Sequence, residues 1–487
     1  MRVFLVLACA WCGFAQNETA VRIESGSITG KNAGEVREWL GIPYAAPPVG
    51  DLRWRPPEPP RRWEGVRAMD HVGAACIQAA LGGIGAVNLP QSEDCLTLNV
   101  WAPKNARQAA VMFWIHGGAF VEGSGGIPIY NGAALARQGV VVVTINYRLG
   151  PLGFFAYPGL SAESKGEPAA NFGIMDQIVA LGWVRRNIAV FGGDPRHVTA
   201  WGESAGAMSV YVLMTSPPAR GLFARAIAES GPIFGPMRTL AQAEQSGEQR
   251  ARDWGADNLK ALRALPARTF ASGGLRDVGP VIDGKYVPAE PRKVFAEGRQ
   301  AAVPFLLGAN NFEASLMGMF SGIGERLADL LGTNGRKLYG DDAHARAQQI
   351  FTDAGFLEPT RFLAGRTAKA GQPAWLYYFS YVLERRRARA PGAMHGGEIP
   401  FVFDNLSEGP LALMATAEDR KMAETVSGYW VSFAKTGDPN GEGRPQWPAF
   451  RMATDKLLEL GPEIVVREDF RKPQLDFIGQ VRAALGQ

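Results

Sequence analysis

Short apolar and β-branched runs punctuate the chain at residues 110–115 and 140–146, and neither alternates cleanly between apolar and polar positions. That pattern predicts central strands covered on both faces. Runs of the same kind lie at 197–201, 226–229, 303–307 and 375–381. Between them, residues 173–187 place Ile174, Ile178, Leu181 and Val184 at three- and four-residue spacing, which predicts a helix with one buried face. Residues 417–434 and 473–485 also read as helices, the first stopped by Gly437-Asp438-Pro439-Asn440-Gly441. The alternation of strand and helix predicts an α/β fold built on a large, mostly parallel central sheet flanked by helices. No internal repeat or composition shift divides the chain.

Composition excludes some classes. The 487 residues are 46% hydrophobic and 20% charged, a globular rather than a disordered profile. Lys and Arg outnumber Asp and Glu by 51 to 47, and a net charge of +4 argues against nucleic acid as a partner. At the start, Arg2, an apolar run and small residues ending at Ala15 predict a signal peptide over residues 1–15 and a secreted or periplasmic protein over 16–487. The run falls short of the roughly 20 residues that a bilayer-crossing helix needs, and no later segment approaches that length free of charge. No stable membrane anchor is expected. A lipoprotein would carry its lipid on Cys9 or Cys12, but Leu7-Ala8-Cys9 comes too early in the apolar run to fit well.

Cutting after Ala15 leaves Cys76 and Cys95 of the four cysteines. An oxidising compartment would pair them, and two buried free thiols are the alternative. The sequons beginning at Asn17 and Asn405 matter only in a host that glycosylates.

Gly202-Glu203-Ser204-Ala205-Gly206 sits between a predicted strand and a helix-compatible run, the context of a nucleophile elbow. A serine hydroxyl needs a base, and the chain offers five histidines. His71 lies in a turn-rich region, His197 on the strand before the elbow, His344 among charged residues, and His116 just ahead of Gly117-Gly118. His395, in a glycine-rich loop with small neighbours, is the candidate base. The acid should fall between nucleophile and histidine in chain order, and Glu313 does so just beyond the predicted strand at 303–307. His116-Gly117-Gly118-Ala119-Phe120 follows the strand at 110–115, where oxyanion donors belong; the N–H groups of Gly118, Ala119 and Ala205 are the candidates.

Taken together, Gly41-Ile42-Pro43-Tyr44-Ala45, Ser92-Glu93-Asp94-Cys95-Leu96-Thr97-Leu98-Asn99-Val100, Asn171-Phe172-Gly173-Ile174-Met175-Asp176-Gln177 and Phe191-Gly192-Gly193-Asp194-Pro195 resemble the type-B carboxylesterases nearly end to end. That family includes para-nitrobenzyl esterases, cholinesterases and the non-enzymatic neuroligins. The resemblance implies one α/β-hydrolase domain over 16–487, a Ser204, Glu313 and His395 triad, oxyanion donors at Gly118, Ala119 and Ala205, and a Cys76–Cys95 disulfide. It implies no metal and no cofactor. One departure is Ala314, where the family often carries glycine after the acid.

The stretch between the two cysteines carries no Trp, Tyr or Phe, so cation–π binding of choline is unsupported. The resulting expectation is a serine hydrolase of small to medium, mainly uncharged carboxylic esters acting through an acyl-enzyme. The alternatives are a neuroligin-like binding module and an interfacial lipase, although no segment reads as an amphipathic lid. Acyl preference and oligomeric state are not legible.

Overall fold

The computed structural model describes residues 18–79, 88–271, 278–320, 322–407 and 409–486, so the predicted leader lies outside the described residues. Among the described residues, eleven strands form one sheet. In chain order they are β1 (Lys31–Ala33), β2 (Val36–Pro43), β3 (Thr97–Pro103), β4 (Ala109–Ile115), β5 (Val141–Ile145), β6 (Gly193–Glu203), β7 (Arg225–Glu229), β8 (Phe305–Asn310), β9 (Ala374–Phe379), β10 (Lys456–Leu460) and β11 (Ile464–Glu468). Across the sheet they run β11-β10-β9-β8-β7-β6-β4-β5-β3-β2-β1. Every pairing from β5 through β4 and β6 to β10 is parallel. The strands beyond β5 and β10 pair antiparallel, so the sheet is mixed, with the predicted parallel strands at its centre.

The missing alternation in the apolar runs has a direct cause in β4. Val111, Phe113 and Ile115 enter one core, while Met112 and Trp114 enter the core on the opposite face. Helices Phe172–Asn187 and Ala205–Thr215 bury Leu181, Val184, Val210 and Leu213 in the first core. Helix Ala417–Thr436 buries Val426, Tyr429, Trp430 and Phe433 in the second. Burying each such side chain contributes roughly 1.5–3 kcal/mol, which is why neither face of the sheet carries a polar stripe. The predicted strand boundaries fall within two residues of the observed ones except at two points: β6 starts earlier, at Gly193, and β8 runs on to Asn310.

β1, β2, β3, β10 and β11 were not anticipated from apolar runs. In β2 the register shifts between Trp39 and Ile42, so buried positions fall at Val36, Trp39 and Ile42 rather than at every second residue. A bulge of this kind hides a strand from a period-two search. The Cys76–Cys95 disulfide is present, with Cα atoms 5.0 Å apart and both residues buried, which removes the free-thiol alternative. Helix Ile323–Tyr339 is amphipathic where no such segment was anticipated, and Leu331 and Tyr339 pack with Ile350 and Ile478. Asn405 is buried, and its Nδ2 donates to Ile129 O and Asn131 O, so this sequon offers no free acceptor in the fold. Asn17 lies outside the described residues. No helix among the described residues is long and apolar enough to cross a membrane.

Candidate active site

Ser204 stands between the end of β6 and helix Ala205–Thr215 with φ 56° and ψ −119°. A non-glycine residue held there costs of order 1–3 kcal/mol, and it persists because the surroundings over-determine it. Ser204 N–H donates to Glu229 O at 2.8 Å, tying the apex to β7. A Cβ on Gly206 would collide with the carbonyl oxygen of Ile115, and one on Gly202 would lie 2.6 Å from the Gly206 backbone. Glycine at both positions lets strand, turn and helix close on one another.

The loop after β4 closes against that apex. A Cβ on Gly117 would lie 2.7 Å from Glu203 Oε2 and 3.0 Å from Ser204 Cβ. Gly118, Ala119 and Phe120 follow with φ of 99°, 53° and 62°, a tight reversal that can present backbone N–H groups to one point. Ala205 is the first residue of its helix, so its N–H has no intrahelical acceptor. Gly118, Ala119, Ser204, Ala205 and His395 all line one cavity of about 550 Å³. Much of its remaining wall is apolar, including Met208, Val212, Ile233, Phe234 and Phe320.

Glu313 follows β8 at once. It is fully buried, its Oε1 accepts Asn310 N–H at 2.7 Å, and its Oε2 lies 2.5 Å from His395 Nδ1. The carboxylate therefore fixes the ring, while the His395 N–H donates to Ser315 Oγ at 2.9 Å and the ring edge meets Phe356. Ala314 is buried beside Phe351 and Phe356 and lacks a positive φ, so alanine is accommodated where the family often carries glycine. His395 Nε2 makes no hydrogen bond to a described residue and lies 3.1 Å from Glu203 Oε1. Catalytic hydrogen bonds commonly tighten only when substrate binds.

Glu203, Glu229 and Glu398 were missed by the sequence reading. Glu203 pairs across the sheet with Glu229, whose Oε1 accepts from the indole N–H groups of Trp201 and Trp430. Glu398 accepts from Asn310 Nδ2 and, at 3.4 Å, from Ser230 Oγ. Burial alone would push the His395 ring toward its neutral form, but Glu203 and Glu313 outweigh it and raise its pKa to about 9. Burial also pushes the Glu203 carboxyl up, against the pull of the His395 ring, and Glu398 and Glu313 add to the rise. The signal in the sequence was a glutamate beside a nucleophile; only the fold reveals that Glu203 and Glu398 join Glu313 around the same ring, with Glu229 next to Glu203 and Glu398.

The other histidines are elsewhere. His116 is fully buried, stacks on Tyr147 and places Nδ1 2.8 Å from Gly117 O, and burial lowers its pKa to about 4. His71 is exposed beside Asp70, His197 faces Asp194, and His344 is exposed near the start of helix Ala343–Thr352. No group of three or more His, Cys, Asp or Glu among the described residues is arranged to hold a metal ion.

A family model described as "Carboxylesterase family" matches residues 17–328 and 321–478. The chain is 38% identical over 475 residues to a fumonisin B1 esterase of Sphingopyxis macrogoltabida, an alignment covering 91% of this chain and 86% of that one. It is 36% identical over 479 residues to a para-nitrobenzyl esterase of Bacillus subtilis (strain 168), covering 92% and 96%. A solved PNB esterase structure superposes with a TM-score of 0.84 at 35% identity, over 95% of this chain and 99% of that one.

Proposed function

Since the chain belongs to the carboxylesterase family and is a carboxylesterase of α/β-hydrolase fold, we propose that it cleaves small to medium, mainly uncharged esters through an acyl-enzyme on Ser204. His395 Nε2 takes the Ser204 proton as Oγ attacks the ester carbonyl, and Glu313 holds the ring through Nδ1 in the tautomer that leaves Nε2 free. The oxyanion forms against the N–H groups of Gly118, Ala119 and Ala205, each donor contributing about 2.7–4 kcal/mol by analogy with other oxyanion holes. The same ring then passes its proton to the departing alcohol and activates the water that releases the acid.

The observation that supports this most is the 2.5 Å contact of the buried Glu313 Oε2 with Nδ1 of His395, whose ring lines the same cavity as a serine held at positive φ. The preference for uncharged esters rests on the apolar wall and on Arg292, whose guanidinium already pairs with Glu358 at 2.7 and 3.1 Å. A non-catalytic adhesion module is not favoured, because the relatives described above are esterases.

Residues 1–15 are proposed to be a cleaved leader and 16–487 one exported domain, a reading supported by the pairing of Cys76 with Cys95 and by one sheet whose strands run from Lys31 to Glu468. Ser204→Ala tests the mechanism: turnover of a short-chain nitrophenyl ester should fall by roughly a million-fold, to trace level. Wild-type-like turnover would refute it.

A further inference from the structure

At the carboxyl end of β9, where the chain leaves the sheet toward His395, lies the sequence Glu384-Arg385-Arg386-Arg387-Ala388-Arg389, which the esterase chemistry does not use. Arg385 Nη1 donates to Leu413 O at 2.9 Å, Arg386 Nη2 lies 3.7 Å from Met414 Sδ, and Arg420 Nη2 donates to Ala412 O at 3.3 Å. Three guanidinium groups thus grip one short turn, and at its tip Leu413 is 83% exposed.

A single exposed leucine is ordinary by itself. Here the backbone carbonyls of its turn are held by Arg385, which is exposed, and Arg420, which is partly buried, while Arg386 and Arg389 beside them are exposed. Arg387 lies over the Tyr381 ring and pairs with Glu418 at 2.6 Å. Among the described residues, the nearby carboxylates are Glu384, Glu418 and Asp419, and Asp419 is buried, accepting the Thr416 and Glu384 N–H groups. Among the described residues, then, five arginines stand against three carboxylates, one of them buried, and this face is positive.

From this juxtaposition we propose that the turn at Leu413 and the arginines around it form a docking surface for an anionic lipid bilayer. Leucine enters the interfacial layer while the guanidinium groups meet acidic headgroups, the pairing that peripheral binding uses. The exposed apolar tip favours a lipid surface over a purely ionic polymer, which would offer it nothing. β9 runs parallel to the neighbouring strands, so the patch lies at the same carboxyl end of the sheet as Ser204 and Glu313. Docking presents that edge of the enzyme to the bilayer.

The test is co-sedimentation of the full protein with phosphatidylcholine vesicles, with or without phosphatidylglycerol. Binding should require phosphatidylglycerol and be suppressed by about 0.5 M salt. Arg385→Gln with Arg386→Gln should weaken it about 25-fold, at about fivefold per arginine, and Leu413→Ser should weaken it several-fold. Turnover of a soluble nitrophenyl ester should be unchanged in both variants, which shows that they fold. Equal sedimentation with neutral and anionic vesicles, unaltered binding by the variants, or retention on heparin without vesicle binding would each overturn the proposal.

Discussion

The end of β4 and the loop after β9 each hold a histidine largely away from solvent, and the two rings are driven in opposite directions. His116 has a backbone carbonyl on one nitrogen and Tyr147 against its face, and burial takes its pKa down to about 4. His395 is mostly covered too, its side chain 11% exposed, but Glu203 and Glu313 lie at its two nitrogens and raise it to about 9. Burial therefore does not decide what an interior imidazole does; the carboxylates that fold up around it do. One ring is a packing element, and the other lines the cavity that Ser204 also lines, where it is proposed to hold and release a proton.

The contrast breaks most sharply at the base. His395→Asn should reduce kcat/KM by on the order of 10⁴–10⁶-fold, as losing one member of a catalytic unit does elsewhere, whereas His116→Gln should leave it within about tenfold. Steady-state kinetics on one soluble ester measure both, and similar losses would erase the distinction.

Glu203→Gln sharpens the comparison. Removing that carboxylate lowers the His395 pKa, so the free-base ring persists to lower pH. The acid limb of kcat/KM should move toward lower pH by roughly one to three pH units. An unmoved limb would mean that Glu203 does not act on the ring.

The smallest effect is on stability. His116 has a folded pKa of about 4 against 6.5 for an unperturbed ring, so its contribution is present above 6.5 and lost as pH falls toward 4. His116→Gln should flatten the acid-side decline of unfolding free energy by up to about 3 kcal/mol across that window, measured by denaturant titration at several pH values. His395 carries the opposite sign, its contribution being present below 6.5 and lost as pH rises through about 9.

What the sequence made legible follows from how locally each feature is encoded. The elbow is compressed into five residues whose glycines are demanded by neighbouring backbone, so Gly202 and Gly206 announce it. The parallel strands announce themselves because both of their faces are buried. β2 stayed hidden because a register shift breaks its period, and β3 because the buried Asn99, whose Nδ2 donates to Gly125 O and Thr144 Oγ1, interrupts its apolar run. Glu229 and Glu398 were illegible for another reason. Glu229 is an ordinary glutamate until strand pairing brings it beside Glu203, and Glu398, three residues from His395, is one until its loop folds against Asn310 and Glu203, convergences that no local pattern encodes.

The most direct measurement is mass analysis of the enzyme after brief exposure to a fluorophosphonate probe, comparing wild type with His395→Asn. The account predicts one adduct on the peptide carrying Ser204 in the wild type, and its near absence in the variant. Labelling at another residue, or equal labelling rates in the two proteins, would contradict it.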